Sequence, residues 1–199
     1  MRLRVLTAFA ALVGTFLIAA PADAATTYRG DGDHVQRIRA TTTPGIAKIT
    51  YDGDGYFSVW GLDRSGKEQQ LLANHVGSYE GTAVYNTDTS NRLAALKVGA
   101  DGPWTIQLLP LGKARSWSTT TAGDTDDVIR LSKPSRGLHT LRIRYTGDGY
   151  FSVWALDSRG RRSRLLANKV GAYKGSVPLP GGTQYAVVGA DGPWSIVRR

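Results

Sequence analysis

The 199-residue chain has no cysteine, and that absence removes several classes of protein at once. No disulfide scaffold, thiolate nucleophile, Cys-built metal centre or lipidated cysteine can be present. Histidine is scarce as well. His34, His75 and His139 are scattered, and none belongs to a His-Glu-x-x-His run or another metal-spaced pair. There is no Gly-x-Ser-x-Gly elbow and no phosphate-cradling glycine loop ahead of a helix. Asp54, Asp148, Asp63 and Asp157 border turn glycines, where a structural aspartate is the ordinary finding. These absences point away from an enzyme, a cofactor and a metal. A hydrophobic fraction of 41% nevertheless supplies enough apolar side chain for a folded core.

Residues 1–24 have the three zones of a secretory leader. Arg2 and Arg4 begin it, Val5 to Ala20 is an uncharged apolar run, and Ala22-Asp23-Ala24 offers a small-x-small cleavage site. The apolar run is short for a bilayer, and no later stretch is long enough to span one. The expectation is a secreted, extracellular protein without a membrane span, cleaved after Ala24.

The rest of the chain is one unit written twice. Gly53-Asp54-Gly55-Tyr56-Phe57-Ser58-Val59-Trp60 recurs letter for letter as Gly147 to Trp154, 94 residues later. Leu71-Leu72-Ala73-Asn74 returns as Leu165 to Asn168, and Tyr79-x-Gly81 as Tyr173-x-Gly175. Val98 to Trp104 returns as Val188 to Trp194 at an offset of 90, so the second copy is shorter between Tyr173 and Val188. Leu141, Ile143 and Tyr145 alternate with Arg142, Arg144 and Thr146, the period of a half-buried strand. Gly-rich and Asp-rich breaks separate such runs roughly every eight to twelve residues, the spacing of a sandwich or barrel. The fold class expected is all-β: two tandem small antiparallel β-sandwich domains after the leader. Their bounds are 25–111 and 124–199, with 112–123 as a linker.

The pattern G-x-G-x-F-x-V-x-x-L-D, then L-L-x-N-x-x-G-x-Y-x-G, then A-D-G-x-W-x-I resembles repeats in secreted actinobacterial proteins. More distantly it is similar to bacterial pre-peptidase C-terminal domains. The resemblance covers nearly the whole mature chain and implies a jelly-roll sandwich with a non-catalytic accessory role. It names no ligand. The layout is also compatible with a two-lobed adaptor subunit of a secreted toxin assembly.

Charge separates the copies. Residues 25–112 carry 8 Lys+Arg and 9 Asp+Glu, whereas 113–199 carry 15 and 6, so the net charges are −1 and +9. Thr50 becomes Arg144, Glu68 becomes Arg162, Gln70 becomes Arg164 and Glu80 becomes Lys174. Two like-shaped lobes with unlike surfaces predict two unlike partners, the basic lobe meeting an anionic one; the candidates are a secreted protein or an anionic cell-surface polymer. The binding set is then Arg142, Arg144, Arg159, Arg161, Arg162, Arg164 and Lys174. Trp117, alone in a polar linker, is either an anchor for a partner or a plug between the lobes. Nucleic acid is disfavoured by secretion and by the lack of aromatic-basic interleaving.

An alternative is a carbohydrate or envelope-polymer binder that uses Tyr56 with Trp60 and Tyr150 with Trp154, each pair on one strand face. Phe57 and Val59 on the opposite face are apolar too, so burial of both faces is the expectation for these aromatics. Trp104 and Trp194 read as core. The Asp52–Gly55 run is read as a turn in preference to a calcium loop, because Tyr56 stands where an oxygen ligand is needed, while Asp31–Asp33 and Asp124–Asp127, which open the two repeats, are a less favoured second acidic site.

Overall fold

The computed structural model describes residues 25–88 and 92–199. The leader expected over 1–24 lies outside the described residues. The first copy forms β1 (Thr26–Asp31), β2 (His34–Thr41), β3 (Gly45–Tyr51), β4 (Tyr56–Leu62), β5 (Glu68–Val76), β6 (Tyr79–Tyr85), β7 (Leu93–Gly99) and β8 (Pro103–Pro110). They make two antiparallel sheets: sheet I in the order β1-β8-β3-β6 and sheet II in the order β2-β7-β4-β5. This interleaved order is a jelly roll.

A 3-10 turn at Leu111–Lys113 and strand β9 (Arg115–Trp117) lead into the second copy. There follow β10 (Thr120–Gly123), β11 (Asp127–Leu131), β12 (His139–Tyr145), β13 (Tyr150–Leu156), β14 (Arg162–Val170), β15 (Tyr173–Leu179), β16 (Tyr185–Ala190) and β17 (Trp194–Arg198). Sheet III (β10-β17-β12-β15) repeats sheet I. Sheet IV (β14-β13-β16-β11-β9) repeats sheet II and gains β9 at its margin. The chain is therefore all-β, as the alternation and turn spacing imply.

The repeated letters are the parts that build each sandwich. Tyr51 stacks on Phe57 with ring centroids 4.4 Å apart, and Tyr145 on Phe151 at 4.6 Å. The same two tyrosine hydroxyls donate to Asp101 and Asp191, the aspartates of the Ala-Asp-Gly-Pro-Trp motif. Burial, reinforced by that contact, pushes the Tyr145 phenol up to about 12. Trp104 and Trp194 are core, and each lies flat over a glycine. A Cβ on Gly30 would sit 2.4 Å from the Trp104 ring, and one on Gly123 2.7 Å from Trp194. Their indole N–H groups donate to Gly32 O at 3.0 Å and Thr125 O at 2.8 Å. The Asp52–Gly55 run is the turn between β3 and β4, and its counterpart joins β12 to β13.

The lobes pack front to back. The outer face of sheet I, through Ile46, Val84 and Leu109, meets the outer face of sheet IV, through Val128, Trp154, Leu156, Tyr185 and Val187. Leu111 and Ala114 complete this apolar cluster. The Thr82 N–H donates to Asp126 O at 2.9 Å, and the Tyr79 hydroxyl to Asp126 Oδ2 at 2.7 Å.

Two expectations change. Segment 112–123 is not a free linker, because it supplies β9 and β10 to the second sandwich. Trp117 is neither an exposed anchor nor a plug between lobes. It is 4% exposed and belongs to the second sandwich's own core with Leu131, Leu141 and Ile196. Parallel pairing of β9 with β11 turns its side chain inward. A ring of this size gains more from that apolar site than its polar sequence neighbours disclose.

Candidate functional site

The cationic residues fall into two groups on different sheets. Arg142 and Arg144 on β12 and Lys174 on β15 share the outer face of sheet III, with Arg144 directly opposite Lys174. The other outward strand positions of that face are Thr120, Ala122, Thr140, Ser176, Pro178, Ser195 and Val197, so no carboxylate balances the cations. Like charges directly across a ladder destabilise it. The fold gains nothing from this arrangement. The same face of sheet I carries Arg29, Asp31, Lys48 and Glu80, with Thr50 opposite Glu80, so its cations and carboxylates balance.

Arg159, Arg161, Arg162 and Arg164 sit at the exposed β13–β14 hairpin instead. Two of them have structural work. Arg161 pairs with Asp157 at 3.0 Å, and Arg162 lies over the Trp154 ring, 4.9 Å from its centroid. Burial alone would raise the Asp157 pKa, but the amides of Arg161 and Arg159 and the Arg161 guanidinium outweigh it and hold the group below the ordinary aspartate range. The hairpin also touches the first lobe. A Cβ on Gly160 would meet Pro44 at 2.8 Å and Leu111 at 2.7 Å. The seven cations expected to act together are thus a free sheet face and a hairpin pressed against the neighbouring lobe.

Between the lobes runs a cleft of about 930 Å³. Sheet I supplies its floor, including Arg29, Lys48, Thr50 and Glu80, and the β10–β11 turn supplies a wall bearing Asp124, Asp126 and Asp127. Asp127 is committed to Arg115, 2.6 Å away. Asp126 is held by Tyr79 and by the Ala190 N–H at 2.9 Å. Burial pushes the Asp126 carboxyl above the ordinary range, against the hydrogen bonds from Tyr79 and Ala190 and the nearby His75. The Tyr79 phenol is raised by its own burial and by that carboxylate. The cleft was not legible in sequence. Tyr79 and Tyr173 occupy equivalent places, and only folding brings the first of them to the second lobe's aspartate. Among the described residues, no group of three or more His, Asp or Glu side chains is placed to hold a metal ion.

The aromatic pairs are not buried on both faces as expected. Tyr56 is 58% exposed, Tyr150 is similar, and Trp60 and Trp154 are half-buried. Phe57 and Val59 take the core side, so their neighbours must point outward from sheet II or IV. The two pairs differ in setting. Trp154 lies under Arg162 and against the inter-lobe cluster, whereas Tyr56 and Trp60 lie on the outer face of sheet II with exposed Val76 opposite Tyr56.

No family model matches the chain, and no curated protein matches it. Among solved structures it is similar to the regulatory subunit of a cAMP-independent protein kinase A from Trypanosoma brucei, at 12% identity and a TM-score of 0.24 over 87% of this chain and 73% of that one. It is similar also to an oxalate decarboxylase of Bacillus subtilis, at 9% identity and a TM-score of 0.24 over 87% and 67% of the two chains. Likeness at that level carries no conclusion about fold or function. Among the described residues, no helix is long and apolar enough to cross a membrane.

Proposed function

We propose that this protein is a secreted, non-catalytic adaptor that bridges two unlike macromolecules. The observation that carries the reading is the uncompensated Arg142, Arg144 and Lys174 face of sheet III, set against its near-neutral counterpart on sheet I. An anionic partner, such as a cell-surface polymer or an acidic protein surface, binds there. The second partner, a protein segment, enters the inter-lobe cleft, where both lobes contribute walls. The resemblance to secreted actinobacterial tandem repeats and to pre-peptidase C-terminal domains supports export and an accessory role.

The test is retention on an immobilised sulfated polysaccharide across a salt gradient. Surface-charge binding weakens as salt rises. The triple change Arg142→Glu, Arg144→Glu, Lys174→Glu should lower affinity about tenfold or more while leaving the melting temperature within a few degrees, since all three are exposed. Lys48→Glu in the first lobe should do much less. Undiminished retention by the triple variant would refute the anionic site.

A second reading is favoured by one observation, the exposure of Tyr56 beside Trp60 on the outer face of sheet II. In that reading these rings stack on sugar units of an envelope polymer. Loss of polymer binding on Tyr56→Ala with Trp60→Ala, in a protein whose charge face is intact, would select it.

A further inference from the structure

The second sandwich is closed at one margin by its own preceding segment. β9 pairs in parallel with β11, matching Arg115 to Ile129, Ser116 to Arg130 and Trp117 to Leu131. The Trp117 ring enters the core and Arg115 anchors the strand on Asp127. Among the described residues, the first sandwich has the same margin without the strand. β2, the counterpart of β11, ends the order β2-β7-β4-β5, and Val35 on it is 56% exposed.

Next to β2 is an open slot of about 580 Å³, lined by Tyr28, Ile38, Tyr85 and Leu108 among others. Strand register on the β1 side matches it to the site that Trp117 occupies in the other lobe: Tyr28 lies opposite Ile106 as Thr121 lies opposite Ile196. On the β2 side Ile38, within the irregularity between Arg37 and Thr41, packs against the first core and follows His34 at the spacing by which Leu131 follows Asp127. Thr121 and Leu131 are buried, whereas Tyr28 and Ile38 are only half-buried. In the same register Trp117 corresponds to Ala24 and Arg115 to Ala22. At that register position the sequence has an alanine where the second lobe has a tryptophan.

We propose that the open edge of β2 and the adjoining slot form a peptide site, in which an extended segment of a partner protein adds in parallel to β2 and seats an aromatic side chain between Tyr28 and Ile38. Main-chain hydrogen bonds along β2 supply affinity, and the ring supplies specificity. The residue two places before the ring differs in kind from Arg115. Where the second lobe offers Asp127, the first offers His34, and the exposed Arg37 and Arg39 beside it favour acidic flanks. An open edge strand is otherwise a liability that soluble proteins cover or blunt. The proposal rests on the fold and is independent of the charge reading above.

The test uses the intact protein and a synthetic peptide with the sequence of residues 112–119 carrying Arg115→Glu. The expected result is saturable binding that slows amide exchange along β2 and perturbs Tyr28, with at least a tenfold loss when the peptide also carries Trp117→Ala. Four outcomes would overturn the proposal: no saturable binding, equal binding of the ring-less peptide, protection on β11 in place of β2, or β2 amides already protected in the free protein. The last would mean that the chain's own N-terminal residues or a second copy covers the edge.

Discussion

The two lobes share a core and differ in surface. Tyr51 with Asp101 and Trp104 over Gly30 are reproduced by Tyr145 with Asp191 and Trp194 over Gly123, because each closes a sandwich that cannot otherwise shield its ends. Change is concentrated where the lobes stand in unlike surroundings. Front-to-back packing covers the Ile46, Val84 and Leu109 end of sheet I's outer face, turns the rest of it toward the cleft, and leaves that of sheet III free; the free one has become cationic. It also hides part of sheet IV and leaves sheet II free. Val187 sits in the inter-lobe cluster, whereas its first-lobe equivalent, Lys97, is solvent-exposed and pairs with Glu68 at 2.9 Å. A duplicated fold that packs front to back presents each face once, so one gene product acquires two different ends.

The largest expected effect breaks the one device that only the second lobe has. Trp117→Ala should cost about 3–5 kcal/mol in that lobe, the range for losing a buried tryptophan. The melt should then separate into two transitions, the lower from the second lobe. A fragment starting at Lys113 should fold, whereas one starting at Asp124 should not, because it loses β9 and β10 together. Circular dichroism melts of the two fragments check this.

Next in size is the latch between lobes. Asp126→Ala removes the acceptor for Tyr79 and Ala190 and should cost about 1–3 kcal/mol. Its titration has a definite sign. Burial raises the folded pKa above the ordinary aspartate value of about 3.9, so the group's contribution to stability is full below that value and is lost as pH rises through the raised one. Melting temperatures measured from pH 3 upward, by roughly half-unit steps, should show a fall in the wild type that Asp126→Asn lacks.

The smallest effect compares two glycines at equivalent hairpin tips, both in the left-handed region. Gly66 has φ +84° and open space around it. Gly160 has φ +78° and lies against Pro44 and Leu111. An alanine costs about 1 kcal/mol of backbone strain at either place. Gly160→Ala should exceed Gly66→Ala by the price of separating the hairpin from the first lobe, and chemical denaturation of the two variants measures the difference. Equal costs would mean that the hairpin is not held against the first lobe.

Much of the fold was legible because repetition is read without knowing what any residue does. The offsets of 94 and 90, the alternation in β12 and the Asp-Gly breaks identify two β-sandwiches, and the length difference falls between β6 and β7, where Tyr85 and Leu93 end the strands. Three things were hidden. Trp117 looked like linker because a three-residue strand has too few positions to show a period. Tyr56 and Trp60 looked buried because the core side of β4 is as apolar as its outer side. The cleft depends on the order in which two sandwiches stack, and nothing local in Tyr79 or Asp126 encodes that. The charge difference singles out Arg144 and Lys174, and the alternation in β12 adds Arg142, although sequence could not separate them from the arginines of the β13–β14 hairpin.

The most direct measurement is amide hydrogen exchange of the intact protein with and without a bound sulfated polysaccharide. The account predicts new protection on β12 and β15, centred on Arg142, Arg144 and Lys174, with β3 and β6 unchanged. Protection confined to β4 and β5 around Tyr56 and Trp60 would contradict it, and would move the binding surface to the first lobe's aromatic face.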